Sequence, residues 1–265
     1  MFHKLGCRKY TKMTNKIAFI TGASAGIGEA TAHKLAQNGY SLILNGRRAD
    51  RLQSLKEKLE QSFDISVTLA VFDIRDRNAV EKGIGAIPET YRNISVLVNN
   101  AGLASGLSTL ENGNMDDWDV MIDTNIKGLL YISRAIIPGM VERKTGHIVN
   151  ICSIAGKEVY ANGNVYCATK FAVDALNKAM RVELSQYPIR VTGIYPGAVE
   201  TEFSIVRFHG DEEKAKKIYE GFDNLLAEDI ADAIFYAISR PAHVNINELI
   251  IMPTAQPVPG IIHRK

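Results

Sequence analysis

Ile17-Ala-Phe-Ile-Thr-Gly-Ala-Ser-Ala-Gly-Ile-Gly28 is the stretch that decides the fold of this 265-residue chain. Its first part, up to Thr21, is almost wholly apolar, which is typical of a strand buried on both faces. The glycines at 22, 26 and 28 allow a tight turn and the close approach of a pyrophosphate to the start of a helix. Because the spacing is not G-x-G-x-x-G, a tight turn without a ligand stays open as an alternative.

Short β-rich runs alternate with longer segments of helical period through the rest of the chain. Further strands are predicted at 41–45, 67–72, 96–99, 147–153, 190–195 and 248–252, with helices from 26 to before Gly39 and at 49–63, 78–87, 118–142, 165–186 and 228–239. This alternation predicts one α/β domain, a Rossmann-type doubly wound parallel sheet of about seven strands with helices on both faces. The long region 197–226 lacks a clear pattern, as a functional lid or a disordered segment would.

The composition is that of an ordinary globular protein, with 46% hydrophobic residues and a net charge of +2. Mixed charges give no sign of a nucleic-acid or membrane partner, and no run approaches the ~18 apolar residues of a membrane helix. The scattered Cys7, Cys152 and Cys167 predict free thiols in the cytoplasm, without a disulfide framework or a metal site. Residues 1–15 are basic and are expected to be a disordered extension of the domain at 16–265, with a targeting role as the alternative.

Asn45-Gly-Arg-Arg48 ends the second strand and predicts the choice of dinucleotide. An NAD site carries an acidic residue at this point, which bonds the ribose 2′-hydroxyl. Here Arg47 and Arg48 could instead clamp a 2′-phosphate, so the predicted cofactor is NADP. The alternative is that both arginines are solvated surface charges. Asp50 is expected to cap the next helix.

Tyr166-Cys-Ala-Thr-Lys170 is the candidate catalytic pair. Positions i and i+4 share one helix face, so the ammonium can approach the phenol and lower its pKa from about 10. A tyrosine and a lysine often occur at this spacing by chance. The context makes the signal stronger, since the pair opens a helix directly after the strand that ends in Ser153.

On these residues the chain resembles the short-chain dehydrogenase/reductase family, from about Lys16 onward. Thr21 to Gly28 matches the family's T-G-x-x-x-G-x-G, Asn99-Asn-Ala-Gly102 its N-N-A-G, and Pro196-Gly197 its P-G after the sixth strand. The resemblance implies hydride transfer between a nicotinamide and an alcohol or carbonyl carbon. It implies the catalytic residues Asn125, Ser153, Tyr166 and Lys170, and the cofactor residues Gly22, Ser24, Gly26, Ile27, Gly28, Arg47, Arg48, Asp73, Ile74, Asn100, Gly102, Tyr166, Lys170, Pro196, Gly197, Val199 and Thr201.

The resemblance also implies roles for the catalytic residues. Tyr166 would exchange a proton with the substrate oxygen, and Ser153 would donate a hydrogen bond to the same oxygen. Lys170 would hold the ribose and lower the Tyr166 pKa, and Asn125 would keep a water in the relay. Two plainer readings stay open: Asn125 could satisfy backbone groups, and Ser153 could be an ordinary strand-end hydroxyl.

A narrower resemblance concerns Thr201-Glu-Phe-Ser-Ile-Val-Arg-Phe-His-Gly210, the segment 241–247 and the segment 252–256. They are similar to the NADP-dependent 3-hydroxy acid dehydrogenases, homotetramers that oxidise serine and reduce malonic semialdehyde. With Ser153 and Tyr166, Arg207 is then the candidate to bind the substrate, through its carboxylate. Alternatively Arg207 is a surface charge or pairs with Glu202 or another subunit, and Lys157 and His209 are the next candidates.

Three other functions stay open. A reductase of another small aldehyde, ketone or secondary alcohol would use the same residues. A nucleotide-sugar epimerase or dehydratase reuses Y-x-x-x-K, but usually with a longer C-terminal domain and a different glycine spacing. An NADPH-binding regulator would have no need of an intact proton relay.

Overall fold

The computed structural model describes residues 16–265, which form one sheet of seven parallel strands. The strands are β1 Ile17–Ile20, β2 Ser41–Gly46, β3 Val67–Val71, β4 Ile94–Asn99, β5 Gly146–Ile151, β6 Ile189–Pro196 and β7 Glu248–Ile251. Their order, β3-β2-β1-β4-β5-β6-β7, changes direction between β1 and β4, where a ligand crevice is expected at the carboxyl ends. The predicted doubly wound sheet is confirmed, whereas the extension at 1–15 lies outside the described residues.

The helices cover both faces of the sheet. They are α1 Gly26–Gln37, α2 Ala49–Ser62, α3 Arg77–Gly85, α4 Met115–Ile122, α5 Leu129–Arg143, α6 Asn164–Leu184, α7 Phe203–Arg207, α8 Glu212–Tyr219 and α9 Ala227–Ile238. Ala18 and Ile20 of β1 belong to the apolar core beneath α1, α2 and α9, whereas Ile17 and Phe19 belong to the core on the opposite side, beneath α3, α5 and α6. Strand β1 therefore needs apolar residues at every position, which explains its sequence.

Two predicted segments differ from the structure. The helix predicted at 118–142 begins at Met115 and is interrupted by a π-helical segment, Asp123–Gly128, which a search for the α-helical period misses. The region 197–226 contains α7 and α8, which are too short for periodicity to reveal. Asp50 lies inside the first turn of α2, whose N-cap is Arg48, so the predicted cap at Asp50 is wrong.

Candidate active site

A cavity of about 680 Å³ opens at the carboxyl ends of the strands, beneath α7 and α8, which belong to the segment predicted as a lid and are here called the lid. Most of the predicted site residues line it: Gly22, Ser24, Gly26, Ile27, Arg47, Arg48, Asp73, Ile74, Asn100, Gly102, Ser153, Tyr166, Lys170, Pro196, Gly197, Val199, Thr201 and Arg207. Gly28 and Asn125 lie behind its wall. Residues from the ends of six strands, β1 to β6, and from the lid thus meet around one space.

The glycine loop after β1 has the shape of an anion cradle. Gly22 and Gly26 have φ angles of +63° and +55°, which side chains rarely allow. A Cβ atom on Gly28 would lie 2.3 Å from the Gly22 carbonyl oxygen. Among the described residues no side chain caps the start of α1 at Ala25, so first-turn amides of α1 stay available to a phosphate. The loop therefore fits a pyrophosphate.

Several arginines lie near the end of β2, the part of the cavity that is predicted to determine the preference for NADP over NAD. The Nε and Nη2 atoms of Arg48 donate to Ser24 Oγ at 3.1 and 3.0 Å. Arg47 is 63% exposed, and its Nη1 atom lies 3.7 Å from an Asp73 carboxylate oxygen. Arg51 and Arg75, which were not predicted from the sequence as site residues, add two more guanidiniums near this end. This donor set fits a phosphate group on the ribose.

Ser153, Tyr166 and Lys170 meet at the other end of the cavity. Ser153 precedes the 3₁₀ turn Ile154–Gly156, and its Oγ accepts a hydrogen bond from the Ala155 amide at 3.1 Å. Tyr166 lies in the first turn of α6 and is 9% exposed. The Lys170 Nζ atom, one turn later, donates to the Ile151 carbonyl oxygen at 3.0 Å and lies 5.9 Å from the centre of the Tyr166 ring. The helix face predicted by the i, i+4 spacing is thus turned toward β5.

The electrostatics of the pair differ from the expectation. Burial raises the pKa of Tyr166 above its ordinary value, while the guanidinium of Arg207 and the Ser153 hydroxyl lower it in part. Arg207 Cζ lies 5.1 Å from the centre of the Tyr166 ring, nearer than Lys170 Nζ. Burial lowers the pKa of Lys170 to about 8. In this structure the guanidinium of the lid thus favours the phenolate, but the effect of burial is larger.

Arg207 projects from the end of α7 into the cavity. Its guanidinium also lies over the Phe203 and Tyr160 rings, and Nη2 donates to the Tyr160 hydroxyl at 2.6 Å. Within residues 16–265 it has no carboxylate partner, and its buried Nε has no hydrogen-bond acceptor. Glu202, the alternative partner, pairs with Arg48 and Arg51 instead. The arginine is therefore available to an anionic ligand beside Tyr166.

Lys157 and His209 are wrong as alternative anchors, because neither lines the cavity. The Lys157 ammonium contacts the carboxylates of Asp174 and Glu248 at 2.9 and 2.8 Å. His209 is 61% exposed, and its Nε2 atom lies 3.3 Å from Asp117.

Asn125 lies in the π-helical segment and is buried. Its Oδ1 accepts from the Leu103 amide at 2.9 Å, and its Nδ2 donates to the Leu103 carbonyl at 2.8 Å and to Thr169 Oγ1 at 3.0 Å. The side chain thus satisfies backbone groups, as the plainer reading expected. It also ties the loop after β4 to α6, one residue before Lys170.

The buried ammonium of Lys170 makes the stability of the protein without ligands depend on pH. An unfolded lysine titrates near 10.4, so between pH 8 and 10.5 the unfolded state binds more protons, and stability should rise with pH. We expect the free energy of unfolding of the wild type, relative to Lys170→Met, to increase by about 2–3 kcal/mol from pH 7 to pH 10. Urea unfolding of both proteins measures this difference, and parallel pH curves would contradict the lowered pKa.

Known proteins share both the sequence and the fold. The profile of the short chain dehydrogenase family matches residues 16–211. The NADP-dependent 3-hydroxy acid dehydrogenase of Salmonella typhi is 48% identical over 250 residues, 94% of this chain and 99% of that protein. Sulfoacetaldehyde reductase 2 of Chromohalobacter salexigens is 44% identical over 241 residues, 91% and 95% of the two chains. The closed form of serine dehydrogenase with NADP⁺ superposes with a TM-score of 0.88 at 45% identity, covering 94% of this chain and 100% of that one.

No helix among residues 16–265 combines the length and the apolar character needed to cross a bilayer. In the same part of the chain, no three His, Cys, Asp or Glu residues are grouped as metal ligands.

Proposed function

Because the chain belongs to the short chain dehydrogenase family, we propose that it is an NADP-dependent oxidoreductase of small anionic alcohols and aldehydes. The substrates are 3-hydroxy acids such as serine or 3-hydroxypropionate, with malonic semialdehyde reduced in the reverse direction. The observation that carries the proposal is Arg207, a guanidinium without a carboxylate partner in residues 16–265, held 5.1 Å from the Tyr166 ring. When the anionic group of a substrate binds there, the reacting carbon, which is separated from that group by one carbon, comes close to the phenol.

The names of the relatives support one substrate skeleton. A 3-hydroxy acid has one carbon between its carboxylate and the carbon that reacts. Sulfoacetaldehyde likewise has one carbon between its sulfonate and its aldehyde. A single guanidinium can bind either anion through two parallel hydrogen bonds. The proposed substrate class is therefore an anion, one carbon, and a reacting alcohol or aldehyde.

The cavity residues divide the chemistry between them. NADP, held by the glycine loop and by Arg47 and Arg48, supplies or accepts the hydride when bound. Tyr166 exchanges a proton between its phenol and the substrate oxygen. Ser153 donates a hydrogen bond to the same oxygen as negative charge develops there. Lys170 holds the ribose.

Asn125 is a positioning residue in this proposal. Its amide keeps the Leu103 loop against Thr169 of α6, so that Tyr166 and Lys170 stay in one orientation. Its π-helical segment is a kind of local distortion that is frequent at functional sites.

Absorbance of NADPH tests the function directly. Malonic semialdehyde should oxidise NADPH, and L-serine should reduce NADP⁺. A panel of 3-hydroxy acids, sulfoacetaldehyde, simple aldehydes and uncharged secondary alcohols, compared by kcat/KM, separates the proposed class from a general aldehyde reductase. NADPH binding without turnover of any of them would favour the regulator, and an altered nucleotide sugar without net change in NADPH would favour the epimerase.

The arginines at the end of β2 should set the preference for NADP. We expect Arg47→Ala with Arg48→Ala to raise the Kd for NADPH by about tenfold, because charge-assisted hydrogen bonds to the 2′-phosphate are lost at a half-exposed site. The Kd for NADH should stay within about twofold. Quenching of protein fluorescence measures both.

A matched control removes two other arginines of the surface. Arg77 and Arg92 pair with Glu81 and Glu89 at exposed positions that do not line the cavity, so their double alanine variant changes the net charge equally. It should bind both dinucleotides like the wild type. Equal losses of NADPH and NADH in the Arg47/Arg48 variant would show that these arginines only support the loop.

The homotetramer and the cytoplasm implied by the resemblance belong to the same proposal. Exposed apolar side chains on α6, Phe171 and Val182, and on β7, Ile250, support association with further copies. The buried free thiols Cys152 and Cys167 are compatible with a reducing compartment. Sedimentation equilibrium tests the tetramer, and a monomer at micromolar concentration would contradict it.

A further inference from the structure

We propose that Glu202 on the lid competes with the 2′-phosphate of the cofactor for Arg48 and Arg51, so that binding of the phosphate releases the start of α7. The inference rests on the proposed NADP dependence and adds two residues to it. Arg51 becomes a phosphate ligand, and Glu202 becomes the residue that couples the cofactor to the substrate lid.

The carboxylate of Glu202 bridges two guanidiniums at the edge of the cavity. Its Oε2 atom accepts from Arg48 Nη1 at 2.9 Å, and its Oε1 atom accepts from Arg51 Nη1 at 2.6 Å. These hydrogen bonds hold the pKa of Glu202 below its usual range, so the group is an anion at neutral pH. The position of this carboxylate is therefore the point toward which the Arg48 and Arg51 guanidiniums both direct hydrogen-bond donors. A phosphate, with more charge and more acceptor oxygens, suits the same donors.

The contact joins parts of the chain that local sequence does not connect. Arg48 and Arg51 lie at the start of α2, whose N-cap has no side-chain hydrogen bond within the described chain. An anion there also meets the positive end of the helix dipole. Glu202 comes from the lid after β6 and is the N-cap of α7. The same anion site thus receives a group from the lid or a group from the cofactor.

Movement of Glu202 would be transmitted to the catalytic end of the cavity through the short helix α7. The next residue, Phe203, packs edge-on against Tyr166 with ring centres 5.7 Å apart. Arg207 ends the same helix and lies over the same ring. Release of Glu202 therefore allows the residues that contact Tyr166 to adjust when the phosphorylated dinucleotide is bound.

Calorimetric titration of the full-length protein with 2′,5′-ADP and with ADP separates the 2′-phosphate from the rest of the cofactor. Glu202→Gln keeps the size of the side chain and removes the competing charge. Half-exposed ion pairs are individually weak, so we expect the variant to bind 2′,5′-ADP about three- to tenfold more tightly. Its affinity for ADP should stay within about twofold.

Glu200→Gln is the matched control. Glu200 precedes Glu202 by two residues and is exposed, and the only described hydrogen bond of its carboxylate is accepted from the Asn224 side-chain amide. It makes the same change of charge without touching Arg48 or Arg51, so it should bind both ligands like the wild type. An equal gain of 2′,5′-ADP affinity in both variants would reduce the effect to general electrostatics and overturn the inference.

The single tryptophan reports on the lid. Trp118 packs against the apolar cluster that also contacts Phe203. The emission of ligand-free Glu202→Gln should shift toward that of the wild type with 2′,5′-ADP bound. Identical emission of the two ligand-free proteins would contradict the coupling. A wild type that prefers 2′,5′-ADP, with no gain in Glu202→Gln, would overturn this inference alone, whereas a wild type without that preference would overturn the NADP dependence as well.

Discussion

Replacement of Tyr166 by phenylalanine should lower kcat for 3-hydroxy acid oxidation by about 10²–10⁴, the usual effect of losing a general acid or base. The phenol is the only group in the proposed mechanism that transfers a proton to or from the substrate oxygen. The ring is buried and packs against Phe203, and phenylalanine preserves that packing. Stopped-flow or steady-state absorbance of NADPH measures the loss.

Binding measurements show whether the loss is chemical. The Kd of NADPH should barely change, and the melting temperature should stay close to that of the wild type. Tyr91→Phe, in the 3₁₀ turn Glu89–Tyr91 away from the cavity, removes a hydroxyl at a matched residue and should leave kcat unaltered. Retention of near wild-type kcat by Tyr166→Phe would refute the mechanism.

Replacement of Arg207 should change the choice of substrate. Lysine keeps the charge but lacks the planar fork, so Arg207→Lys should lower kcat/KM for serine and malonic semialdehyde by about 10–100-fold, the range for a hydrogen-bonded charged group. An uncharged secondary alcohol has no anion to lose and should change by less than about threefold. The ratio of the two values of kcat/KM is the measurement.

Substitution by glutamine at position 207 distinguishes the two roles of Arg207, binding of the substrate anion and the electrostatic effect on the pKa of Tyr166. Because the guanidinium lowers the raised pKa of Tyr166, loss of the charge in Arg207→Gln should raise that pKa further. The rising limb of the pH profile for alcohol oxidation should then move to higher pH, with uncharged substrates as well, whereas in Arg207→Lys it should stay near that of the wild type. A uniform loss on all substrates in both variants, without a pH shift, would assign Arg207 to folding of the lid.

Local patterns were enough to predict the sheet and the catalytic end of the cavity. The continuous apolar run of β1 and the four-residue spacing between Tyr166 and Lys170 are local patterns, which the sequence displays directly. The strand after which each motif stands then gives its position, because parallel strands end at one edge.

Local patterns could not predict contacts between segments that are far apart in the sequence. Nothing near Arg48 or Arg51 indicates that Glu202, more than 150 residues later, faces them, and nothing near Lys157 indicates its partners Asp174 and Glu248. Lys157 therefore looked available to a ligand when it was not. The direction of the Tyr166 pKa was misjudged for the same reason, since burial, which raises it, depends on segments far from Tyr166 in the sequence.

The π-helical segment between α4 and α5 also changes which way the two helices face. Ile132 follows Met121 by about three α-helical turns, so in an unbroken α-helix both side chains would point in the same direction. A wider π turn shifts the angular phase by up to about 100°, one residue of α-helical rotation. Met121 accordingly packs in the cluster around Tyr166, while Ile132 packs beneath the sheet. The continuous helix from α4 to α5 can thus contribute side chains to two apolar clusters. Deletion of a single residue between Asp123 and Gly128 would turn the apolar side chains of α4 or of α5 toward water.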